Sequence, residues 1–176
     1  AVAVRAAALG LEILAFDPYL TPEAATEQEV KMVNLTTLLE ESDFVTLHTP
    51  LTPNTENLIG KDQLNLMKKD SFLINAARGA LIDENALYEA LITGKIAGAG
   101  LDVMVDSSPS TSHPLIGLDN VIVTPHTAFF SQESVLELEV RAAEEVARVL
   151  NGEMPQNLVN KEVLSHPNPR HSLPAE

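Results

Sequence analysis

Six short apolar runs punctuate this chain, at residues 11–16, 30–33, 43–48, 72–76, 97–102 and 120–124, and stretches near 35–41, 61–68 and 83–93 carry helical spacing between them. Strands that alternate with helices leave few folds open, because a helix between two strands is a crossover and crossovers join parallel strands. The run at 11–16 alternates too little for a half-exposed strand and predicts burial on both faces. The expectation is an α/β domain on a doubly wound parallel sheet. Ahead of the first run, residues 1–9 form an Ala-rich helical stretch, and Gly10 stands where a helix stop belongs.

Composition permits one such domain. The 176 residues are 45% hydrophobic, enough for one sizeable core, and no apolar stretch approaches a membrane span. A formal net charge of -14 and a pI near 4.6 argue against direct nucleic-acid binding, and no Lys/Arg stripe offers phosphates a face. Without cysteine there are no disulfides, thiolate metal sites or Cys nucleophile. The histidines lack paired spacing and the acids are scattered, so no metal site is expected. No signal-peptide pattern opens the chain, and the expected location is cytoplasmic, with neither a membrane nor a nucleic acid as partner.

Parallel sheets place ligands outside the carboxyl ends of their strands, where Asp17, His48, Ala76-Ala77-Arg78, Asp102 and His126 fall. An acid that ends the second strand of a dinucleotide-binding, Rossmann-like fold accepts hydrogen bonds from the adenosine ribose and repels a 2′-phosphate, favouring NAD over NADP. Asp17 fits that role; it also fits a plain turn before Pro18. The phosphate-binding Gly loop belongs about 20 residues before such an acid, yet no G-x-G-x-x-G occurs in the sequence and Ala1 already lies in the helix that the loop would open. The expectation is a Rossmann-like sheet without its first strand and Gly loop, a fragment with exposed apolar edges, an unpaired strand and weak NADH affinity.

Five segments in order carry a family resemblance: Phe16-Asp17-Pro18-Tyr19, Thr46-Leu47-His48-Thr49-Pro50-Leu51-Thr52, Asn75-Ala76-Ala77-Arg78-Gly79, Gly100-Leu101-Asp102-Val103 and Pro125-His126-Thr127-Ala128. Over residues 1 to about 160 the chain resembles the D-isomer-specific 2-hydroxyacid dehydrogenases. Residues 126–131 and the helix after them look most like the branch that includes the C-terminal binding protein corepressors. The resemblance implies a cofactor domain inserted in a substrate domain. Here that means a partial NAD-binding domain over 1–153, including a return helix at 131–150, and a C-terminal tail at 154–176 with four prolines and two histidines. That helix, with Val135, Leu138, Ala142, Val146 and Val149 on one side, is equally an ordinary amphipathic helix. The resemblance also implies a homodimer.

A nicotinamide enzyme needs a cation for the substrate carboxylate, a proton donor for the carbonyl oxygen and a shaped site for hydride transfer. Arg78, with its planar fork, suits the first role, and His126, whose imidazole can give and take a proton, suits the second. The resemblance further implies cofactor contacts from Asp17, Thr49, Pro50, Thr55, Ala76, Ala77, Arg78, Asp102, His126 and Ala128. Among these, the Thr49 to Thr55 loop lines ribose and phosphates, the Ala76 carbonyl faces the nicotinamide and Asp102 bonds its carboxamide. His48 is either a ligand or a strand-end packing residue. Asp83 caps a helix and Glu84 complements its dipole.

The family's third catalytic member, a glutamate paired with the histidine, aligns with Ser107. Serine supplies no charge, and the neighbouring Asp106 is shorter and off register, so an impaired enzyme is expected. Three readings follow: a NAD-dependent oxidoreductase acting on a small D-2-hydroxy or 2-oxo acid, which the Arg78, Asp102 and His126 trio favours; an NAD(H)-sensing corepressor-like binding module, which Ser107 favours; and an inactive remnant.

Overall fold

The computed structural model describes residues 1–19 and 30–165. Helix α1 (Val2–Ala8) ends in a turn at Gly10, whose φ of 85° is the left-handed conformation that glycine adopts without a steric penalty. Strand β1 (Leu14–Ala15) pairs in parallel with β2 (Lys31–Met32), and the two form a sheet of their own. Asn34 caps α2 (Leu35–Glu41) by accepting the Thr37 N–H at 2.8 Å. Strand β3 (Phe44–Leu47), helix α3 (Lys61–Leu66), strand β4 (Phe72–Asn75), helix α4 (Glu84–Ile92) and strands β5 (Gly98–Leu101) and β6 (Val121–Val123) follow. Asp83 caps α4 through the Asn85 and Ala86 N–H groups at 3.0 and 3.1 Å, as its position before an apolar periodic run predicts.

Strands β3-β4-β5-β6 make a four-stranded, all-parallel sheet. Val45, Leu47, Leu73 and Leu101 share one core with Leu39 of α2, Leu64 of α3 and Leu87, Ala90 and Leu91 of α4. The alternate positions Phe44, Phe72, Ile74 and Ile122 are exposed, and Phe44 and Phe72 stack with ring centroids 5.5 Å apart. Two-faced burial of the 11–16 run does not hold: Leu14 and Ala15 are only half-buried, and Leu11 and Phe16 are exposed. The reason is pairing, since β1 meets β2 alone and no described strand links that pair to β3. The apolar exposure expected from the sequence is present, but the expected unpaired strand is not, because among the described residues β1 and β2 pair with each other.

The chain divides into two compact units, residues 1–128 and 129–176. The expected span 1–153 thus takes in the first unit and α5 (Gln132–Leu150) of the second. Within the second unit, Ser131 caps α5, which buries no residue, and Leu138 and Val146 on its apolar side stay exposed. Part of the expected tail, Lys161–Ser165, is a short 3-10 helix, and its residues from 166 on lie outside the described residues. Among the described residues no helix is long and apolar enough to cross a membrane.

Candidate active site

Strands β4, β5 and β6 lie side by side with Asn75 opposite Leu101 and Leu101 opposite Val123. The segments that follow them, at 76–79, 102–105 and 124–128, therefore leave one edge of the sheet together. A parallel sheet has its strand ends aligned in this way, so residues distant in sequence converge there without any loop having to search for its partner.

The Arg78 segment is held from below by Asn75, which is 1% exposed. Its Oδ1 accepts the Ala77 N–H at 3.0 Å and its Nδ2 donates to the Arg78 carbonyl at 2.8 Å, so one amide satisfies both sides of a tight bend. The Asn75 carbonyl accepts the Asp102 N–H at 2.9 Å, joining this bend to the next strand end. Arg78 itself is exposed, with Nη1 donating to the Ala77 carbonyl at 2.7 Å. Gly79 has no alternative: a Cβ there would overlap the Met104 carbonyl group and the Val105 nitrogen.

Asp102 is 7% exposed and gathers the histidine segment. Oδ1 accepts the Thr124 hydroxyl at 2.5 Å and the Thr127 N–H at 2.8 Å, and Oδ2 accepts the Ala128 N–H at 3.0 Å. Burial disfavours the carboxylate, but these three bonds and the charge of His126 outweigh it and hold Asp102 below its ordinary value of 3.8. His126 is exposed and sits at φ 54°, a left-handed backbone that a non-glycine residue adopts only when its surroundings fix it. They do so here: the His126 N–H is shared between the Asp102 carbonyl at 2.9 Å and the Thr124 carbonyl at 3.0 Å. A strained histidine encircled by hydrogen bonds to one buried carboxylate is an organised site rather than a surface accident.

The other expected residues fall at the ends of β1 and β3. Thr55 closes the 50–55 loop, its hydroxyl donating to the Pro50 carbonyl at 2.7 Å and accepting the Thr52 N–H at 2.8 Å. Exposed His48 meets the Thr46 hydroxyl at 3.1 Å through Nε2, so it is not a packed core residue. Exposed Asp17 accepts the Tyr19 N–H at 2.8 Å, so the turn-forming role is real and coexists with any ligand role. Asp106 makes a similar local turn, accepting the Ser108 N–H at 2.9 Å, and both Asp106 and Ser107 are exposed.

Comparison with known proteins gives the family. Residues 1–128 match the family "D-isomer specific 2-hydroxyacid dehydrogenase, NAD binding domain". The chain belongs to that family. It is 46% identical over 160 residues to a D-3-phosphoglycerate dehydrogenase of Methanocaldococcus jannaschii, covering 90% of this chain and 30% of that protein. It is 44% identical over 164 residues to a glyoxylate reductase of Korarchaeum cryptofilum, covering 93% and 49%. A D-lactate dehydrogenase with NAD+ from Lactobacillus jensenii superposes with a TM-score of 0.82 at 38% identity, covering 91% of this chain and 52% of that one. The chain thus spans about half the length of such dehydrogenases, or less. These relatives are dehydrogenases and reductases, and the branch expected from residues 126–131 finds no support among them.

As the NAD-binding domain of a 2-hydroxyacid dehydrogenase, residues 1–128 offer a donor set that fits the cofactor's two ends. Asp17 presents an acceptor at the end of β1, and the Ala76 and Asp102 segments present polar groups at the central strand ends, while no Gly-rich loop for the pyrophosphate occurs in the sequence. Sequence reasoning missed three residues of this dehydrogenase edge. Asn75 has a signal in the sequence, since a polar residue that ends an apolar strand marks a braced turn. Thr124 gave no signal. Glu84 lies in the first turn of its helix, as a dipole charge should, and also accepts the Val105 N–H at 2.7 Å.

Proposed function

We propose that this chain supplies the cofactor domain and the catalytic edge of a NAD-dependent oxidoreductase that interconverts small D-2-hydroxy acids and 2-oxo acids. Arg78 pairs with the substrate carboxylate through its guanidinium fork and polarises the adjacent carbonyl. His126 gives its proton to the carbonyl oxygen as the alkoxide develops, and takes one back in the oxidative direction. Bound NADH supplies the hydride that forms the new C–H bond. Asp102 is a positioning residue: it fixes Thr124, Thr127 and Ala128 around His126 and places a negative charge beside the imidazole. The cofactor contacts assigned to Asp17, Thr49, Pro50, Thr55, Ala76, Ala77, Arg78, Asp102, His126 and Ala128 belong to the same reading, as does a homodimer of the intact protein.

The observation that carries this reading is the Asp102 carboxylate, at the end of the strand beside the Arg78 bend, organising a strained His126. The test is NADH oxidation by the intact protein with a panel of small 2-oxo acids: the wild type turns over, Arg78→Ala does so only with a strongly raised KM, and His126→Asn is about 10²–10⁴-fold slower. Ser107 is expected to leave the enzyme slow, and Ser107→Glu to accelerate it about tenfold or more. The same serine supports a second reading, an NAD(H)-binding module that senses rather than turns over. Binding of NADH without oxidation in both the wild type and Ser107→Glu is what that reading requires.

A further inference from the structure

The first turn of α4 holds a carboxylate with two distant partners. Glu84 Oε1 accepts the Val105 N–H at 2.7 Å, and Glu84 Oε2 lies 3.5 Å from His113 Nε2. Both side chains are mostly buried, with 19% of Glu84 and 24% of His113 exposed. The Leu115 N–H donates to His113 Nδ1 at 3.3 Å, so Nδ1 is the acceptor and the ring proton sits on Nε2, facing the carboxylate. A neutral imidazole thus suffices for the contact. One glutamate thereby fixes both ends of the loop that runs from Val105 to His113 and carries Asp106 and Ser107.

The start of that loop also packs against Gly79, the residue after Arg78. Gly79 packs so closely on the Met104 carbonyl and the Val105 nitrogen that the two backbones cannot shift independently. Glu84 to Val105, Val105 to Gly79 and Gly79 to Arg78 form one continuous line of contacts, and α4, capped by Asp83, anchors its far end. We propose that Glu84 is a positioning residue for Arg78, its carboxylate clamping residues 105–113 and so setting where the guanidinium meets the substrate. This rests on the reading of Arg78 as the carboxylate-binding group.

The two partners make the clamp testable without emptying it. Glutamine has one acceptor oxygen, so Glu84→Gln serves either the Val105 N–H or His113 Nε2 but not both. His113→Phe removes the outer partner and leaves the inner bond. In the intact protein Glu84→Gln should speed amide hydrogen exchange of Met104 and Val105 and raise the KM for a 2-oxo acid roughly tenfold, with kcat changed much less. His113→Phe should move both readouts in the same direction by less. Arg78→Ala in the same assay separates the two claims. An unaltered KM in Arg78→Ala overturns the carboxylate-binding reading. A raised KM there together with wild-type KM in Glu84→Gln overturns the clamp, even if the Tm falls, because a merely structural glutamate lowers stability and leaves KM alone. Unchanged exchange at Val105 in Glu84→Ala, which removes both acceptor oxygens, also overturns it.

Discussion

The two sheets of the first unit are built from similar apolar runs and end differently. In β3–β6 every strand has a parallel neighbour, one face meets α2, α3 and α4, and the carboxyl edge carries a network in which buried Asn75 and Asp102 have all their roles assigned. In β1–β2 two short strands pair only with each other and none of their residues is fully buried. Two strands alone are marginally stable, and burial on one face by helices is what turns a ladder into a scaffold. The difference teaches where precision resides: the braced edge fixes Arg78 and His126, while the Asp17 end of the unit carries its residue on a local turn.

That contrast predicts a gradient of effects. The largest falls on His126→Asn, which should lower kcat about 10²–10⁴-fold in the intact protein with the Tm little changed, as read by steady-state kinetics beside thermal melts. Next, Leu73→Ala in the centre of β4 should cost about 2–5 kcal/mol by urea unfolding, whereas Leu14→Ala in β1 should cost about 1 kcal/mol or less. Equal costs would erase the distinction between the sheets.

Asp102→Asn removes a charged acceptor from three donors and should cost about 1–3 kcal/mol. Because the folded state holds this carboxyl below 3.8, its contribution is complete above that value and is lost as pH falls through the lower folded-state value. Melts between pH 5 and 2 should therefore show a smaller acid-range loss in Asp102→Asn than in the wild type. The smallest effect belongs to Asp17→Asn, which should weaken NAD selectivity over NADP by roughly tenfold and leave kcat near wild type. A tenfold loss of kcat there would place precision at both ends of the sheet.

Much of this arrangement is written locally in the sequence. Helix α2 spans the predicted 35–41, and each strand of the four-stranded sheet lies inside its predicted run, shortened by a residue or two at the ends, because apolar runs bounded by polar residues report the strands directly. The Asp83 cap was legible for the same reason, since its partners are two and three residues away. The Glu84 clamp was not, because its partners Val105 and His113 follow strand β5 and become neighbours only when the sheet forms. The constraint on Gly79 was not legible either, because it is a backbone from another strand end. The left-handed His126 has no sequence signature at all, as the Asp102 and Thr124 carbonyls that hold it come from two different strand ends.

The most direct test of the central claim is NADH oxidation by the intact wild-type protein and by Ser107→Glu, each supplied with the same panel of small 2-oxo acids. The account predicts turnover in the wild type, faster turnover in Ser107→Glu, and loss of both on adding His126→Asn. NADH binding with no oxidation of the cofactor by either protein, for any acid in the panel, would contradict it.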